Sequence, residues 1–268
     1  MNTQAILVAD TWQAADASET FQAHNPVTKE PLPNKYPVSK WSDCDRALSA
    51  AAAAFKTMRM MQGERIAEFL EAFVARLETR KDEIVEMAHL ETGYPKSPRL
   101  ADGEFPRTTN QLLQAATAAR EGSWRVPTID TENNIRSFLG PIGPVAVFGP
   151  NNFPLAFGSA SGGDFAAAIA AGNPVIAKAN TSHPGTTQLF AEEAQSAAQQ
   201  TDMPAATVQL LYRTSHADGE RLVSDPRLGA VGYTGSRSAG LKLKAAADGA
   251  GIPIYLELSS VNPVVILP

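Results

Sequence analysis

The feature that most constrains the fold is an alternation of short, mostly apolar runs with alanine-rich segments after Gly122. Such runs predict buried parallel strands. They lie at residues 145–148, 175–177, 208–211, 228–231 and 254–256. The segments between them predict helices at 156–171, 186–200, 217–224 and 239–247. This alternation is typical of an α/β protein with a doubly wound parallel sheet.

The chain before Gly122 is predicted to be mainly helical. Residues 1–40 are rich in proline and irregular, apart from a short strand at 5–8. Ser42 is the predicted N-cap of an alanine-rich helix, and apolar spacing predicts a second helix over residues 63–90. A third helix is expected over residues 100–120, delayed or kinked by Pro106. Residues 133–139 predict a separate pairing strand.

Composition argues against several classes of function. The net charge of -5, without a basic block, argues against nucleic-acid binding. No apolar run reaches the length of a membrane span, and residues 1–12 lack the features of a secretory signal. The single Cys44 excludes an internal disulfide and suits a cytoplasmic protein. The four histidines show no metal-ligand spacing, so no metal site is expected.

The first candidate site follows the strand at 145–148. Gly149 and Pro150 break the chain there and present Asn151 and Asn152 before a helix. Ligands bind at this edge of α/β sheets, and a side-chain amide there can donate to a developing oxyanion. The alternative is that Asn152 is an ordinary turn residue.

Three further positions share that edge of the predicted sheet. Lys178 ends the second strand, although a solvated strand tip explains a lone lysine as well. The turn from Gly235 to Gly240 opens a helix, where backbone amides can approach phosphate oxygens, but a simple tight turn is equally consistent. Glu257 ends the last strand among apolar residues; burial there would raise its pKa and suit a general base. The alternative is a structural carboxylate.

The run Asn152-Phe-Pro-Leu-Ala-Phe, together with Arg120-Glu-Gly-Ser-Trp and Ser260-Val-Asn-Pro-Val, resembles the aldehyde dehydrogenase superfamily. Within it, these pieces are similar to 2-oxoglutarate semialdehyde dehydrogenases and related NADP-linked bacterial enzymes. The resemblance covers nearly the whole chain. It implies a Rossmann-like fold of aldehyde dehydrogenase type and oxidation of an aldehyde, with hydride passing to NAD or NADP.

The resemblance also assigns roles to residues. Asn152 would stabilise the oxyanion that forms when a cysteine thiolate adds to the aldehyde, and Glu257 would activate the hydrolytic water. The implied cofactor contacts are Phe148, Pro150, Asn151, Lys178, Thr181, Gly219, Gly235, Ser236 and Leu258. Relatives often carry a glutamate where this chain has Thr181. A carboxylate there would repel the 2′-phosphate of NADP, whereas a hydroxyl can hydrogen-bond to it. NADP is therefore favoured over NAD.

Three departures from the family pattern qualify these expectations. Asn151 stands where many relatives have tryptophan, and Ser259-Ser260 replaces the common Gly-Gly after the Glu-Leu pair. The chain also stops at Pro268, before the family's nucleophilic cysteine. The chain is therefore expected to have three parts. Residues 1–122 form the helical part of a cofactor-binding domain, residues 123–142 an oligomerisation strand segment, and residues 143–268 the Rossmann-like core. The catalytic domain is absent from the chain.

Three functional readings stay open at this point. The favoured one is part of an aldehyde dehydrogenase that forms homo-oligomers when complete. The alternative is a natural, non-catalytic dinucleotide-binding module. A reductase acting on acyl phosphates is disfavoured by the residues that follow Glu257. A dicarboxylic semialdehyde would need a cation near the substrate tunnel, and Arg107, Arg120 and residues beyond the chain all remain candidates.

Overall fold

The computed structural model describes residues 3–267. In chain order its strands are β1 (Ile6–Val8), β2 (Thr11–Gln13), β3 (Glu19–Phe21), β4 (Tyr36–Ser39), β5 (Thr128–Asp130), β6 (Ile135–Ser137), β7 (Val145–Phe148), β8 (Val175–Lys178), β9 (Val208–Leu211), β10 (Arg213–Thr214), β11 (Ala230–Thr234) and β12 (Ile254–Glu257). Its α-helices are α1 (Trp41–Met58), α2 (Gly63–Thr79), α3 (Lys81–Thr92), α4 (Phe105–Glu121), α5 (Gly163–Ala170), α6 (Pro184–Gln200), α7 (His216–Val223) and α8 (Arg237–Gly249). Lys96–Glu104 forms a π-helical segment, interrupted by extended backbone at Ser97.

The main sheet confirms the predicted doubly wound α/β fold. Its strand order is β12-β11-β7-β8-β9-β1-β2. The five strands from β12 to β9 are parallel, and β1 joins β9 in the antiparallel sense. Right-handed crossovers place α5 and α6 on one face of the sheet and α7 and α8 on the other. The direction of winding therefore reverses between β7 and β11, which is the topological switch point where open α/β sheets bind ligands.

Two of the predicted strands differ from the structure. The fourth was expected at 228–231, but β11 is shifted along the chain and runs from Ala230 to Thr234. The fifth was expected to be buried, and that is wrong: along β12 half-buried and exposed residues alternate. The reason is position, because β12 has a neighbouring strand on one side only.

The front of the chain contains more strand than its composition suggested. The expected strand at 5–8 is confirmed as β1, but β2, β3 and β4 also form within residues predicted to be irregular. β1 and β2 extend the main sheet, whereas β3, β4 and β10 form a separate three-stranded sheet. These pairings join segments up to about two hundred residues apart, which local composition does not reveal.

The helical predictions need four corrections. The helix expected over 63–90 divides at Arg80 into α2 and α3. Ser42 is not an N-cap, because α1 already begins at Trp41 and the Ser42 hydroxyl donates to Asp16. The third helix begins at Phe105, five residues later than predicted, with Pro106 in its first turn. The helix expected over 156–171 is the shorter α5, because the preceding residues form turns in which the Ser161 hydroxyl donates to the Leu155 carbonyl.

Between the helical front and the main sheet lies a hairpin of β5 and β6. The two strands pair in the antiparallel sense and form a sheet of their own. Ile129, Ile135, Phe138 and Leu139 are exposed along it. The strand predicted at 133–139 is therefore the second arm of a two-stranded unit rather than a strand alone. Within residues 3–267, no helix combines the length and apolarity needed to cross a lipid bilayer.

Glu91 links α3 to the start of α6, directly after the segment that carries Thr181. It is buried, and its carboxylate accepts the backbone N–H groups of Gly185 and Thr186 and the hydroxyl of Thr186, at 2.8, 2.8 and 2.7 Å. Burial raises the pKa of Glu91 to about 7, although these three hydrogen bonds oppose the shift. The carboxyl group thus fixes the start of α6, directly after the segment 180–182.

The raised pKa predicts a pH-dependent stability. Between its ordinary pKa near 4.5 and about 7, Glu91 keeps a proton in the folded state that the unfolded chain has released. Its contribution to the free energy of unfolding therefore falls as the pH rises through this range, by on the order of 3 kcal/mol in total. Urea unfolding of the wild type and Glu91→Gln at pH 5 and pH 8 tests this. We expect the wild type to lose stability relative to the variant, and a constant difference would contradict the prediction.

Candidate functional site

A cleft of about 650 Å³ lies at the switch point. It is lined by residues that follow β7 and β8, by the segment after β9 with the start of α7, and by residues that follow β11 with the start of α8. The cleft therefore lies at the carboxyl edge of the parallel strands. A volume of this size lies within the range of small-molecule and cofactor sites.

The structure brings eight of the nine predicted cofactor residues to this cleft. They are Phe148, Pro150, Asn151, Lys178, Thr181, Gly219, Gly235 and Ser236. The ninth, Leu258, does not line the cleft but packs against the core close to Gly240, on the first turns of α8. Strands and helices separated by more than eighty residues thus deliver these side chains to one place.

The two predicted catalytic residues lie beside the cleft rather than among its lining residues. Asn152 is exposed on the loop after β7. Glu257 is the register partner of Thr234, which lines the cleft, and its carbonyl accepts the backbone N–H of Gly235 at 3.0 Å. Asn152 and Glu257 therefore flank the same end of the sheet.

Glu257 is exposed, so the expectation that it is buried is wrong for this chain. β12 is the outermost strand of the sheet and Glu257 is its last residue. The nearby Asp164, in the first turn of α5, has a pKa raised by burial and by the negative charge of Glu257. Asp164 also lies against β11, where a Cβ on Gly232 would come within 2.8 Å of its carboxylate oxygen. Two carboxylates thus share this end of the sheet.

The loop after β7 is fixed from below by backbone contacts. A Cβ on Gly149 would lie 2.8 Å from the backbone nitrogen of Ser159, so only glycine fits. The Asn180 amide donates to the Gly149 carbonyl at 3.1 Å. Nε2 of His183 lies 2.7 Å from the Pro150 carbonyl and donates to it, and burial lowers the pKa of His183, which keeps the ring neutral. The segment after β8 therefore holds the loop after β7.

A second set of contacts fixes the same loop from the side. Arg99 donates to the Asn152 carbonyl at 2.9 Å, and its Nε lies 3.5 Å from Oε2 of Glu104. Oε1 of Glu104 accepts the backbone N–H groups of Leu155 and Ala156 at 2.8 and 3.1 Å. Sequence reasoning missed both Arg99 and Glu104, because they belong to the π-helical segment some fifty residues earlier in the chain.

Lys178 shares the cleft with a second cation, Arg213. Burial lowers the pKa of Lys178 to about 8, and the positive charge of Arg213 contributes to the shift. Arg213 was also missed by sequence reasoning. A signal was available, since Arg213 follows β9 by two residues, at the same carboxyl edge of the sheet. The two cations, with the half-buried Thr181, make this end of the cleft suited to an anion.

The opposite side of the cleft is the N-terminus of α8. Gly235 precedes it, and the Ser236 hydroxyl caps it by accepting the backbone N–H of Ala239 at 3.4 Å. Gly235, Ser236 and Ala239 all line the cleft. Free N–H groups and the helix dipole favour negative charge at such a position. The cleft thus offers cations at one end and a helix N-terminus at the other, an arrangement that fits a dinucleotide with two phosphate-bearing regions.

The single cysteine is remote from this chemistry. Cys44 is buried in α1, and burial raises the pKa of its thiol to about 12. A thiol with this pKa is not a nucleophile near neutral pH. Among residues 3–267 no group of histidine, cysteine, aspartate or glutamate side chains is arranged to hold a metal ion.

A doubly wound sheet with a polar cleft at its switch point is the architecture of many nucleotide-binding α/β proteins. Comparison with known sequences is more specific. Residues 12–268 match the model of the aldehyde dehydrogenase family, and the chain belongs to that family.

Curated relatives narrow the comparison further. The chain is 40% identical over 266 residues to alpha-ketoglutaric semialdehyde dehydrogenase 2 of Azospirillum brasilense, covering 95% of this chain and 50% of the relative. It is 33% identical over 267 residues to alpha-ketoglutaric semialdehyde dehydrogenase of Acinetobacter baylyi, covering 96% and 50%. The chain therefore spans about half the length of the curated relatives it matches.

Solved structures confirm the fold. Succinate-semialdehyde dehydrogenase from Burkholderia pseudomallei superposes with a TM-score of 0.86 at 25% identity, over 100% of this chain and 53% of that one. A mutant of aldehyde dehydrogenase C from Pseudomonas syringae, in complex with NAD+ and octanal, superposes with a TM-score of 0.85 at 23% identity, over 99% and 52%.

Proposed function

We propose that this chain is the cofactor-binding half of an NAD(P)-dependent aldehyde dehydrogenase. The observation that carries the proposal is the cleft, in which Lys178, Thr181 and Ser236 meet at the switch point beside Asn152. The 40% and 33% identities to alpha-ketoglutaric semialdehyde dehydrogenases support 2-oxoglutarate semialdehyde as the substrate and 2-oxoglutarate as the product. In the complete enzyme, a further segment would supply the cysteine nucleophile.

The residues that line the cleft fit a dinucleotide. Lys178, Thr181 and Arg213 would hold the adenosine end, and the N-terminus of α8 would face the pyrophosphate. A bound nicotinamide supplies a hydride acceptor. The exposed amide of Asn152 would donate to the oxyanion, and Arg99 orients its backbone through the carbonyl. Glu257, at the solvent-exposed end of β12, would hold and activate the hydrolytic water.

The cofactor preference is proposed to be NADP. A hydroxyl at Thr181 and two cations, Lys178 and Arg213, line the same region of the cleft and suit a 2′-phosphate. Calorimetric titration of the chain with NADP+ and with NAD+ tests this proposal. We expect tighter binding of NADP+. A strong preference for NAD+ would refute the NADP proposal, and no binding of either would refute the cofactor site.

The raised acidity of Lys178 predicts how cofactor binding depends on pH. The ammonium form binds phosphate and ribose oxygens, and its population falls as the pH rises through about 8. We therefore expect affinity for NADP+ to weaken above pH 8 and binding near that pH to take up protons. Calorimetry at pH 8 in buffers of different ionisation enthalpy measures the uptake, and Lys178→Met should abolish it. Equal proton uptake by the variant would contradict the assignment.

The non-catalytic alternative rests on one observation, the inert Cys44. Since the chain contains no other cysteine, the chain by itself is expected to bind NADP+ and to leave aldehydes unoxidised. The mass of the protein in its native source separates the two readings. A mass near twice that of this chain supports the enzyme, and a mass of 28.5 kDa supports a binding module. The oligomerisation role of the β5–β6 hairpin and a cytoplasmic location are further parts of the proposal.

A further inference from the structure

Beside the proposed oxyanion donor lies a cluster of two guanidinium groups and two aromatic rings. Phe153 and Phe157 are half-buried and meet edge to face, with ring centroids 5.3 Å apart. The guanidinium group of Arg99 lies over the Phe153 ring, 4.3 Å from its centroid. The guanidinium group of Arg107 lies 4.8 Å from the Phe157 centroid and 5.9 Å from the Phe153 centroid. Phe153 directly follows Asn152, so the cluster borders the place where the aldehyde carbon would sit.

The two arginines differ in how far their charge is already compensated. Arg99 donates to the Asn152 carbonyl and pairs with the buried Glu104. Within residues 3–267, the guanidinium group of Arg107 forms neither a salt bridge nor a hydrogen bond, and the residue is exposed. Glu104 is engaged by Arg99 and by two backbone N–H groups. Arg107 is therefore the cation in this cluster that is available to a ligand.

Arg120, the other arginine considered as a cation for a substrate carboxylate, already has carboxylate partners. Arg120 forms ion pairs with Glu64 at 2.9 Å and Glu71 at 2.8 Å, at the far end of α4. Both carboxylates bind its guanidinium group through paired contacts. Arg107 lies instead in the first turns of α4, next to the rings. The geometry therefore favours Arg107 over Arg120 as the cation near the proposed substrate site.

We propose that the guanidinium group of Arg107 binds the remote carboxylate of the aldehyde substrate and so selects semialdehydes over neutral aldehydes. The inference rests on the proposed function. In a five-carbon semialdehyde the two terminal carbons are separated by about 5 Å when the chain is extended, given carbon–carbon bonds of roughly 1.5 Å. With the aldehyde at Asn152, the proposal places the carboxylate over Phe153 and Phe157, beside Arg107. The rings pack against the methylene groups, and Arg107 makes a charge-assisted contact.

The test uses this chain saturated with NADP+ and 2-oxoglutarate as the probe. Binding of 2-oxoglutarate is followed by calorimetry and by saturation-transfer NMR. We expect weak but measurable binding, reduced at least about tenfold by Arg107→Met because a charge-assisted hydrogen bond is lost. Arg107→Lys keeps the charge and should retain part of the affinity. The neutral analogue glutaramide should bind equally to the wild type and to Arg107→Met.

Arg59→Met is the matched control. Arg59 also lies over a phenylalanine ring, that of Phe55 at 5.6 Å, but at the end of α1. We expect this variant to bind 2-oxoglutarate as the wild type does. Two outcomes would overturn the inference and leave the proposed function intact. In one, Arg107→Met binds 2-oxoglutarate as tightly as the wild type does. In the other, the wild type binds NADP+ but not 2-oxoglutarate. Failure to bind NADP+ would instead refute the proposed function. Unchanged NADP+ affinity in Arg107→Met shows that the variant is folded.

Discussion

Replacement of Glu104 by alanine is expected to destabilise the chain by about 2–4 kcal/mol, because two buried backbone N–H groups lose their acceptor at roughly 1–3 kcal/mol each. Glu104 is 3% exposed. Its removal leaves the Arg99 guanidinium without its carboxylate and the backbone N–H groups of Leu155 and Ala156 without an acceptor. Leu155 and Ala156 are buried, so water does not replace the acceptor that their N–H groups lose, whereas the partly exposed Arg99 can be solvated.

Urea unfolding measures this effect as a shift of the midpoint. The control is Glu68→Ala, which breaks an exposed pair with Arg65 at 3.4 Å and should cost less than about 1 kcal/mol. Glu104→Gln keeps an oxygen acceptor for the two N–H groups and should fall between the two. A loss for Glu104→Ala no larger than that of the control would show that Glu104 does not hold the loop that carries Asn152.

Replacement of Thr181 by glutamate is expected to weaken NADP+ binding far more than NAD+ binding. A carboxylate about 4 Å from a phosphate charge costs on the order of 4 kcal/mol at an effective dielectric constant of 20. We therefore expect affinity for NADP+ to fall at least about a hundredfold. NAD+ lacks the phosphate, and its ribose hydroxyls can donate to the new carboxylate, so its affinity should be kept or improved.

Competitive calorimetry with both cofactors measures this change in preference. Thr128→Glu is the matched control, because it introduces the same charge on the exposed hairpin strand β5. It should leave both affinities unchanged at moderate salt, where charges separated by more than a Debye length are screened. If Thr181→Glu weakened the binding of both cofactors equally, Thr181 would not face the 2′-phosphate.

Much of the cleft was predictable because its residues follow short apolar runs. The strands at 145–148, 175–177 and 208–211 lie within a residue of their predicted bounds. Buried parallel strands must be apolar throughout, and their carboxyl ends meet at one edge of the sheet. Lys178 and Gly235 could therefore be placed at that edge without any knowledge of distant contacts.

The contacts that hold the site were not predictable in the same way. Arg99 and Glu104 lie in a polar π-helical segment, and the helix predicted over residues 100–120 included Glu104 but not Arg99. Their partners, Asn152 and Leu155, are about fifty residues away in the chain. Nothing in local spacing specifies such a pairing, because it depends on how α4 packs beside α5 and the loop before it.

The amino-acid sequence by itself determined the doubly wound class of the fold, its central apolar strands and the edge at which the polar residues gather, since burial of apolar strands follows from local pattern. Only the tertiary structure decided that Glu257 is exposed on an outermost strand, that Glu64 and Glu71 occupy Arg120, and that Arg107 stays available beside Phe157. The physical reason is that exposure and charge compensation are set by which distant side chains arrive at the same place.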